Sequence, residues 1–200
     1  MENRESIKKI FAIVGESGSG KSTLVKTLCE IHNDLELLIP STSRPKRDSE
    51  IDGVDYHFLT LEQFENSRDK DDFISWTTFR GWGYGLSRET VLNSKSDNLI
   101  IVTNPYELLQ MLQEVSHKEY VIIPIYIYTC ERTRLLRSLE RNDDIDEVIR
   151  RLKTDRDDFS HIPYTVLRNN GHIIKNDGKF LDAVEKLFYH IKSTIGECYE

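Results

Sequence analysis

The sequence predicts an α/β fold in which helices flank a mostly parallel sheet. Short apolar runs rich in β-branched and aromatic residues alternate with longer segments that have helical periodicity. The first apolar run ends in a glycine-rich turn that leads directly into a helical segment. Strands that alternate with helices in this way form βαβ units, and the strands of such units are parallel.

Each predicted element follows from its local pattern. Strands are predicted at KIFAIVG (9–15), NLIIVTN (98–104), YVIIPIYIYT (120–129) and GHIIKND (171–177), with a further apolar run at 35–43. Helices are predicted at 21–32, 60–69, 105–115, 130–141, 144–159 and 179–195. Thr60 precedes Gln63 by three residues, as in a capping box, and Pro105 suits the first position of a helix.

The segment at about residues 40–90 breaks this alternation. It is rich in aromatic residues, turn residues and charge. We interpret it as an inserted subdomain that binds an acceptor substrate. The whole chain, 1–200, is predicted to be one domain, with its core at about 1–39, 91–133 and 156–200.

The composition disfavours several kinds of partner. The chain has 27 Lys and Arg residues against 34 Asp and Glu residues, a net charge of −7, and nucleic-acid binding needs a basic face. The longest apolar stretch, at 120–130, is about half as long as a membrane span, which disfavours a membrane protein. Cys29, Cys130 and Cys198 are odd in number and far apart, so we expect no disulfide framework, no zinc site and a cytoplasmic location.

The turn after the first strand carries the pattern G-x-x-x-x-G-K-[ST]. Gly15, Gly20, Lys21 and Ser22 fill its fixed positions, with a strand before them and a helix after them. Glycines let the backbone wrap closely around an anion, and the new helix presents its positive end to the same anion. A Gly/Ser-rich turn without function is the alternative, but it does not account for the lysine and the serine. The pattern therefore predicts a phosphate-binding loop.

This loop predicts binding of ATP together with Mg²⁺. The residues that we assign to ATP here are Gly15, Ser17, Gly18, Ser19, Gly20, Lys21, Ser22 and Thr23. Lys21 would reach the β- and γ-phosphates, and the Ser22 hydroxyl would be a ligand of Mg²⁺. No aspartate ends the strand at 98–104, so the other Mg²⁺ ligands would be ATP oxygens and water. The size of the chain and the lack of a second nucleotide-switch motif favour a kinase.

A second group of residues suits a phosphorylated acceptor. Arg44 and Arg47 lie three residues apart around a proline turn, and Tyr56 and Tyr84 follow. Guanidinium groups make charge-assisted pairs with a phosphate dianion, and phenols donate further hydrogen bonds to it. The alternative interpretation is a solvated charged loop.

The segment STSRPKRDSEIDGVDYHF resembles the guanylate kinase motif T-T-R-x-x-R-x-x-E-x-x-G-x-x-Y-x-F. The matching residues are Ser43, Arg44, Arg47, Glu50, Gly53, Tyr56 and Phe58. The resemblance continues through FISWTTFRGWGYG, an arginine-rich helix and the late KND, and so spans nearly the whole chain. It implies a P-loop kinase fold in which Arg44, Arg47, Tyr56 and Tyr84 hold the phosphate of the acceptor, with Glu50 at the same site.

The resemblance also implies an arginine-bearing lid at about 134–155 that closes on the transferred phosphoryl group and excludes water. Arg137, Arg141 and Arg151 are the best matches for its catalytic arginines, although the pattern does not separate Arg150 from Arg151. We interpret Arg132 and Arg134 as exposed helix residues that pair with glutamates. Asn176 matches a family position beside the adenine of the donor.

Four positions differ from the residues with which guanylate kinases contact guanine. Ser75 and Asn104 stand in place of carboxylates, and Pro40 and Leu86 stand in place of serines. Ser75 and Asn104 are still predicted to contact the acceptor. GMP or dGMP is the acceptor that the resemblance implies, while these four replacements leave the preferred base open.

Two alternatives follow from these differences. Ribose 1,5-bisphosphate phosphokinases resemble the chain at Ser75 and Trp76, and their acceptor has no base. A guanylate-kinase-like binding module without activity is the other alternative, but such modules usually lack the lysine that Lys21 provides. We therefore predict an ATP- and Mg²⁺-dependent kinase whose partner is a small phosphorylated molecule, with a nucleoside monophosphate as first choice.

Overall fold

The computed structural model describes residues 7–48, 50–115 and 120–196, apart from the side chains of residues 114 and 115. Cys198 lies outside these residues. The chain divides into two compact units, Met1–Ile10 with Asp34–Ile122 and Phe11–Asn33 with Ile123–Glu200. The first unit contains the predicted acceptor-binding segment, and the second contains the predicted phosphate loop. The finer division into core, insertion and lid stays a prediction.

Strands and helices alternate over much of the chain. The strands are β1 Lys8–Val14, β2 Glu36–Leu37, β3 Ser41–Thr42, β4 His57–Phe58, β5 Phe73–Phe79, β6 Trp82–Ser87, β7 Asn98–Val102, β8 Tyr120–Tyr128 and β9 His172–Lys175. The helices are α1 Lys21–Ile31, α2 Leu61–Asp69, α3 Arg88–Leu92, α4 Pro105–Gln110, α5 Glu131–Glu140, α6 Ile145–Asp158, α7 Ile162–Arg168 and α8 Phe180–Ile195.

In the first unit, strands β2 and β7 are parallel neighbours. Glu36 pairs with Leu99, and Leu37 pairs with Ile100. Leu99, Ile100 and Ile101 are fully buried. An unbroken apolar run is expected for a parallel strand that is covered on both faces. Asn104 follows β7 directly after Thr103, so this strand delivers one of the predicted acceptor residues.

A second, mixed sheet of the first unit has the order β4-β3-β6-β5. Strands β3 and β4 are parallel, whereas β6 is antiparallel to both β3 and β5. The predicted capping box of α2 is confirmed: the Gln63 N–H donates to Thr60 Oγ1 at 3.1 Å, and the Thr60 N–H donates to Gln63 Oε1 at 2.8 Å. The Phe64 ring of this helix packs on the Phe73 ring of β5 at 4.8 Å.

Two glycines of β6 make room for these aromatic rings. A Cβ atom at Gly83 would lie 2.5 Å from the Phe64 ring, and one at Gly85 would lie 2.9 Å from the Phe73 ring. Successive side chains of a strand point to opposite faces. Tyr84 therefore lies on the face away from these two rings.

Strands of the second unit lie in the order β1-β8-β9. Strand β8 pairs with β9 in parallel, from Ile125 opposite His172 to Tyr128 opposite Lys175. Helices α1 and α8 contact each other and bury apolar faces, formed by Leu24, Val25 and Leu28 on α1 and by Ala183, Val184, Leu187 and Ile191 on α8. Both units thus contain helices and parallel strands, and the predicted α/β fold is confirmed.

The structure departs from the predicted elements in a few places. Helix α4 ends at Gln110 and continues as a π-helix over Met111–Val115, whereas the pattern predicted one helix to Val115. The Gln110 side chain accepts the backbone N–H of Trp76 at 2.7 Å, so the α-helix ends where its side chain binds β5. Strands β4, β5 and β6 and helices α3 and α7 were not predicted. Within the part of the chain that the structure describes, no helix could cross a membrane.

Candidate active site

The phosphate loop, residues 15–20, joins β1 to α1 in the second unit. Gly18 and Gly20 have φ angles of 78° and 83°, in the left-handed region that favours glycine. A Cβ atom at Gly20 would lie 2.7 Å from Asn176 Nδ2, so a side chain would fill this cradle. Helix α1 begins at Lys21, and its N-cap residue is Gly20, which has no side chain that could cap the helix. Its first N–H groups have no partner within the helix and can receive an anion.

Side-chain donors hold the loop by its carbonyl oxygens. Ser19 O accepts from Asn176 Nδ2 at 2.8 Å, from Thr129 Oγ1 at 3.1 Å and from Arg137 Nη1 at 3.2 Å. Lys21 Nζ lies 3.4 Å from Glu16 O, so the ammonium group folds back over the loop. The structure therefore brings Lys21, Arg137 and Asn176 together at this loop. Thr129 was not predicted, because a single threonine at the end of a strand carries no signal.

Arg134 corrects the interpretation of an exposed residue paired with a glutamate. Its side chain is only 5% exposed and pairs with Asp155, whose side chain is 2% exposed, at 3.2 Å. Arg134 Nη1 also donates to Ser17 O at 3.4 Å, and Asp155 Oδ2 accepts the Ser17 N–H at 2.8 Å. Both residues thus contact the phosphate loop. Arg132 is exposed, as predicted.

The predicted lid arginines differ in their surroundings. Arg137 also donates to Asn176 O at 2.8 Å. Arg141 is exposed and pairs with Asp143 at 2.6 Å. Arg150 and Arg151 both pair with Glu147 at 2.6 Å, and hydrogen bonds from Arg150 and then Arg151 lower the pKa of Glu147 to about 2. Arg151 has the less exposed side chain of these two arginines, 23% against 55%.

The arginine–tyrosine cluster, Arg44, Arg47, Glu50, Tyr56 and Tyr84, lies in the first unit. Arg44 binds Glu50 in a bidentate pair, with Nη1–Oε2 at 2.9 Å and Nη2–Oε1 at 2.8 Å. The Arg47 N–H donates to Glu50 Oε2 at 2.9 Å. Burial acts to raise the pKa of Glu50, but the hydrogen bonds from Arg44 and from the Arg47 N–H outweigh it and lower that pKa. Glu50 therefore stays ionised and holds Arg44 in place.

Two tyrosines complete this cluster. The Arg44 guanidinium lies 5.4 Å from the centre of the Tyr56 ring, and the Tyr56 and Tyr84 rings meet edge to face at 6.1 Å. Burial raises the pKa of Tyr56, and Tyr84 and Glu107 raise it further, while Arg44 opposes them. The Tyr56 phenol is therefore a neutral hydrogen-bond donor. The structure brings the four residues that were predicted to hold the acceptor phosphate together with Glu50.

Three buried polar atoms of the first unit have no hydrogen-bond partner among the described residues: Ser75 Oγ, Asn104 Nδ2 and Glu107 Oε1. Asn104 caps α4, since its Oδ1 accepts the N–H groups of Tyr106 at 3.0 Å and Glu107 at 2.9 Å. Buried polar groups usually have partners, so these atoms mark places where a polar ligand can bind.

Glu107 is a buried carboxyl group that the sequence pattern did not predict to be functional. Its Oε2 accepts from Thr103 Oγ1 at 2.7 Å. Burial raises the pKa of Glu107 to about 7, although hydrogen bonds from the Thr103 hydroxyl and the Asn104 backbone oppose the shift. Its influence on the pKa of Tyr56 connects it to the arginine–tyrosine cluster. The sequence gives no sign of this role, because Glu107 lies three residues after the helix cap Asn104, where glutamate is common in exposed first turns.

The donor set for Mg²⁺ is sparse. Among the residues that the structure describes, no group of three or more His, Cys, Asp or Glu side chains could hold a metal ion. Ser22 lies in the first turn of α1, next to Lys21. This arrangement fits an ion that takes one hydroxyl ligand from the protein and its other ligands from a nucleotide and water.

The parallel α/β fold and the phosphate loop at the start of α1 define a P-loop nucleotide-binding protein. The family model for guanylate kinase matches residues 7–192 of the chain. The guanylate kinase of Rhizobium etli is 32% identical over 183 residues, which cover 89% of this chain and 80% of that protein. The guanylate kinase of Bartonella henselae is 34% identical over 182 residues, which cover 84% and 81%.

A solved structure shows the same fold. The crystal structure of guanylate kinase from Anaplasma phagocytophilum matches with a TM-score of 0.71 and 18% identity, over 95% of this chain and 87% of that chain. The family match and the sequence relatives show that the chain belongs to the guanylate kinase family. It is accordingly a nucleoside monophosphate kinase, and the predicted enzyme class is confirmed.

Proposed function

We propose that the protein transfers the γ-phosphoryl group of ATP to the phosphate of GMP or dGMP. One observation carries this proposal: the chain has two separate groups of residues suited to phosphate, the phosphate loop and the arginine–tyrosine cluster. A hydrolase needs only the first group, because water is its acceptor. The names of the relatives, all guanylate kinases, support guanine as the base.

The second unit would bind ATP. The N–H groups at the start of α1 would receive its phosphates, and Lys21 would turn from Glu16 O toward the β- and γ-phosphates. Ser22 would hold Mg²⁺, which neutralises phosphate charge when it is bound. Asn176 donates a hydrogen bond to Ser19 O in the phosphate loop, which supports its assignment to the ATP site.

The first unit would bind the acceptor. Three of the five N–H groups of Arg44 are used by Glu50 and Pro45, which leaves the others for a phosphate dianion. Arg47, the neutral phenol of Tyr56 and the hydroxyl group of Tyr84 would add further donors. Ser75, Asn104 and Glu107 would contact the rest of the acceptor through their unpartnered polar atoms.

The reaction consists of positioning and charge neutralisation. An oxygen of the acceptor phosphate attacks the γ-phosphorus of ATP in line, the bond from this phosphorus to the bridging oxygen breaks, and ADP leaves. We assign Arg137, Arg141 and Arg151 to the charge that moves with the phosphoryl group. Arg141 and Arg151 would exchange Asp143 and Glu147 for phosphate oxygens. A cytoplasmic location is part of this proposal.

A second candidate acceptor is ribose 1,5-bisphosphate. It is favoured by Ser75 and Asn104, which stand where the guanylate kinase motif has carboxylates that contact guanine. Its hydroxyl groups could satisfy the same buried polar atoms. Phosphoryl transfer would then use the same phosphate loop and arginines.

A coupled assay of ADP release tests both candidates. It compares all nucleoside and deoxynucleoside monophosphates with ribose 1,5-bisphosphate at a fixed concentration of ATP and Mg²⁺. We expect the highest kcat/KM with GMP or dGMP, and loss of turnover in Lys21→Ala. Lys26→Ala, which removes another ammonium group from α1, is the matched control and should keep full activity. Activity in folded Lys21→Ala, or none in the wild type with any acceptor, would contradict the proposal.

A further inference from the structure

The Arg134–Asp155 pair joins α5 and α6 deep inside the second unit. Both side chains are almost fully buried, and a buried ion pair carries a large desolvation cost. The same two helices are also joined at the surface, where Arg156 Nη2 binds Glu131 Oε1 at 2.8 Å. Joining the helices therefore does not require a buried pair.

The buried pair differs from the exposed pair in what else it touches. Asp155 Oδ2 accepts the Ser17 N–H at 2.8 Å, and Asp155 Oδ1 lies 3.4 Å from Ser17 Oγ. Arg134 Nη1 donates to Ser17 O at 3.4 Å. One charge thus binds the N–H of Ser17 and the other binds its carbonyl group, which fixes the peptide planes on both sides of this residue.

The next residue of the loop lies directly on α5. Gly18 has a φ of 78°, and a Cβ atom there would lie 3.0 Å from Arg134 O and 3.3 Å from Arg134 Cβ. The loop is therefore packed against Arg134 where it changes to left-handed backbone geometry. Small movements of Arg134 would shift the turn that precedes Lys21.

From these contacts we infer that Arg134 and Asp155 are positioning residues that set the conformation of the phosphate loop for the nucleotide donor. They act through Ser17 and do not touch the reacting atoms. This inference rests on the proposed function only because that function names ATP as the donor. The contacts that hold the loop do not depend on which nucleotide binds. It predicts that loss of the pair weakens donor binding and leaves acceptor binding unchanged.

The test compares two double variants. Arg134→Met with Asp155→Leu removes the buried charges and keeps apolar volume, while Arg156→Met with Glu131→Gln makes a similar change at the exposed pair of the same helices. ADP binding is measured by calorimetry, which needs no turnover, and KM is measured for ATP and for the best acceptor. We expect the buried double variant to raise the ADP Kd and the ATP KM at least tenfold, with an acceptor KM within twofold of the wild type. The exposed double variant should match the wild type.

Asp155→Asn provides a second, milder variant. Its amide oxygen can still accept the Ser17 N–H, but the charge that attracts Arg134 is lost. We expect the ADP Kd to rise at least threefold, less than in the buried double variant. If the buried double variant folds and binds ADP as tightly as the wild type, the inference is wrong. If that variant does not fold, the inference is wrong when Asp155→Asn binds ADP as tightly as the wild type. If the wild type binds ADP but transfers phosphate to no acceptor, the proposed function fails while this inference is still decided by ADP affinity.

Discussion

Replacing Glu107 by glutamine should change how the stability of the first unit depends on pH. Burial raises the pKa of Glu107 in the folded protein to about 7, against an ordinary value of 4.5. Between these two pH values the folded chain keeps a proton that the unfolded chain has lost. The stabilising contribution of the protonated group is therefore fully present below pH 4.5 and is lost as the pH rises through 7. The difference in pKa corresponds to roughly 3 kcal/mol.

Glutamine keeps an oxygen that can accept from Thr103 but does not titrate. The free energy of unfolding of the wild type, relative to Glu107→Gln, should therefore fall by roughly 3 kcal/mol between pH 4.5 and pH 8. Urea unfolding, monitored by tryptophan fluorescence, measures this change in the free energy of unfolding of the first unit. The chain has two tryptophans, Trp76 and Trp82, and both lie in the first unit together with Glu107.

Glu62→Gln is the matched control. Glu62 also lies in the first turn of a helix, α2, but its side chain is exposed. This variant should have the pH dependence of the wild type. If the stabilities of the wild type and Glu107→Gln change in parallel between pH 4.5 and pH 8, Glu107 is ionised in the folded protein throughout this range and the argument from burial is wrong.

Three further predictions concern the two groups of phosphate-binding residues and the positions that are predicted to contact the base. Arg44→Ala and Arg47→Ala should each lower kcat/KM for the acceptor about tenfold or more, since a charge-assisted contact contributes roughly 1.5–3 kcal/mol; an equal rise in the ATP KM would place these arginines on the donor side. Ser75→Glu combined with Asn104→Asp should raise kcat/KM for GMP relative to AMP, and a wild type that already prefers GMP a thousandfold would refute this reading of the base site. Gly20→Ala should weaken ADP binding at least tenfold in calorimetry, because its φ of 83° is unfavourable for alanine; wild-type affinity would show that the cradle tolerates a side chain.

The local patterns predicted those elements whose stability is largely local. The phosphate loop was predicted because a glycine pattern, a lysine and a serine must occur at fixed spacing. The capping box at Thr60 was predicted because both of its partners lie within four residues. Strands β5 and β6 were not predicted, since serine, threonine and glycine interrupt their aromatic residues and only pairing with each other defines them.

The charged residues of α5 and α6 show the limit of such patterns at the candidate site. Arg134 and Asp155 are 21 positions apart. Arg134 has partly or fully exposed neighbours on both sides, and Asp155 lies in a segment rich in charged residues. Helical periodicity places Arg134 on the same face as Arg137 and Arg141, but it does not show that Arg134 is buried against the phosphate loop. Arg132, two residues earlier, is exposed. The distinction comes from the packing of α5 and α6 against the loop. Glu107 was missed for the same reason, because its burial depends on contacts outside α4.

Strand β6 also restricts how this chain can vary in length. Gly83 and Gly85 face the rings of Phe64 and Phe73, and Tyr84 points to the opposite face. Inserting or deleting one residue within this strand would exchange the two faces, so that a tyrosine would meet the rings and a glycine would replace it in the arginine–tyrosine cluster.

Substitutions at the exposed end of β6, in contrast to insertions or deletions, leave each residue of the strand on its present face of the sheet. The turn before the strand, where Arg80 and Gly81 have φ angles of 54° and 83°, connects β5 to β6 and can absorb added residues without altering the alternation. In proteins that descend from this sequence, we therefore expect substitutions within β6 but changes of length only in that turn. The number of residues from Trp82 to Ser87 should stay the same even where most of these residues are replaced.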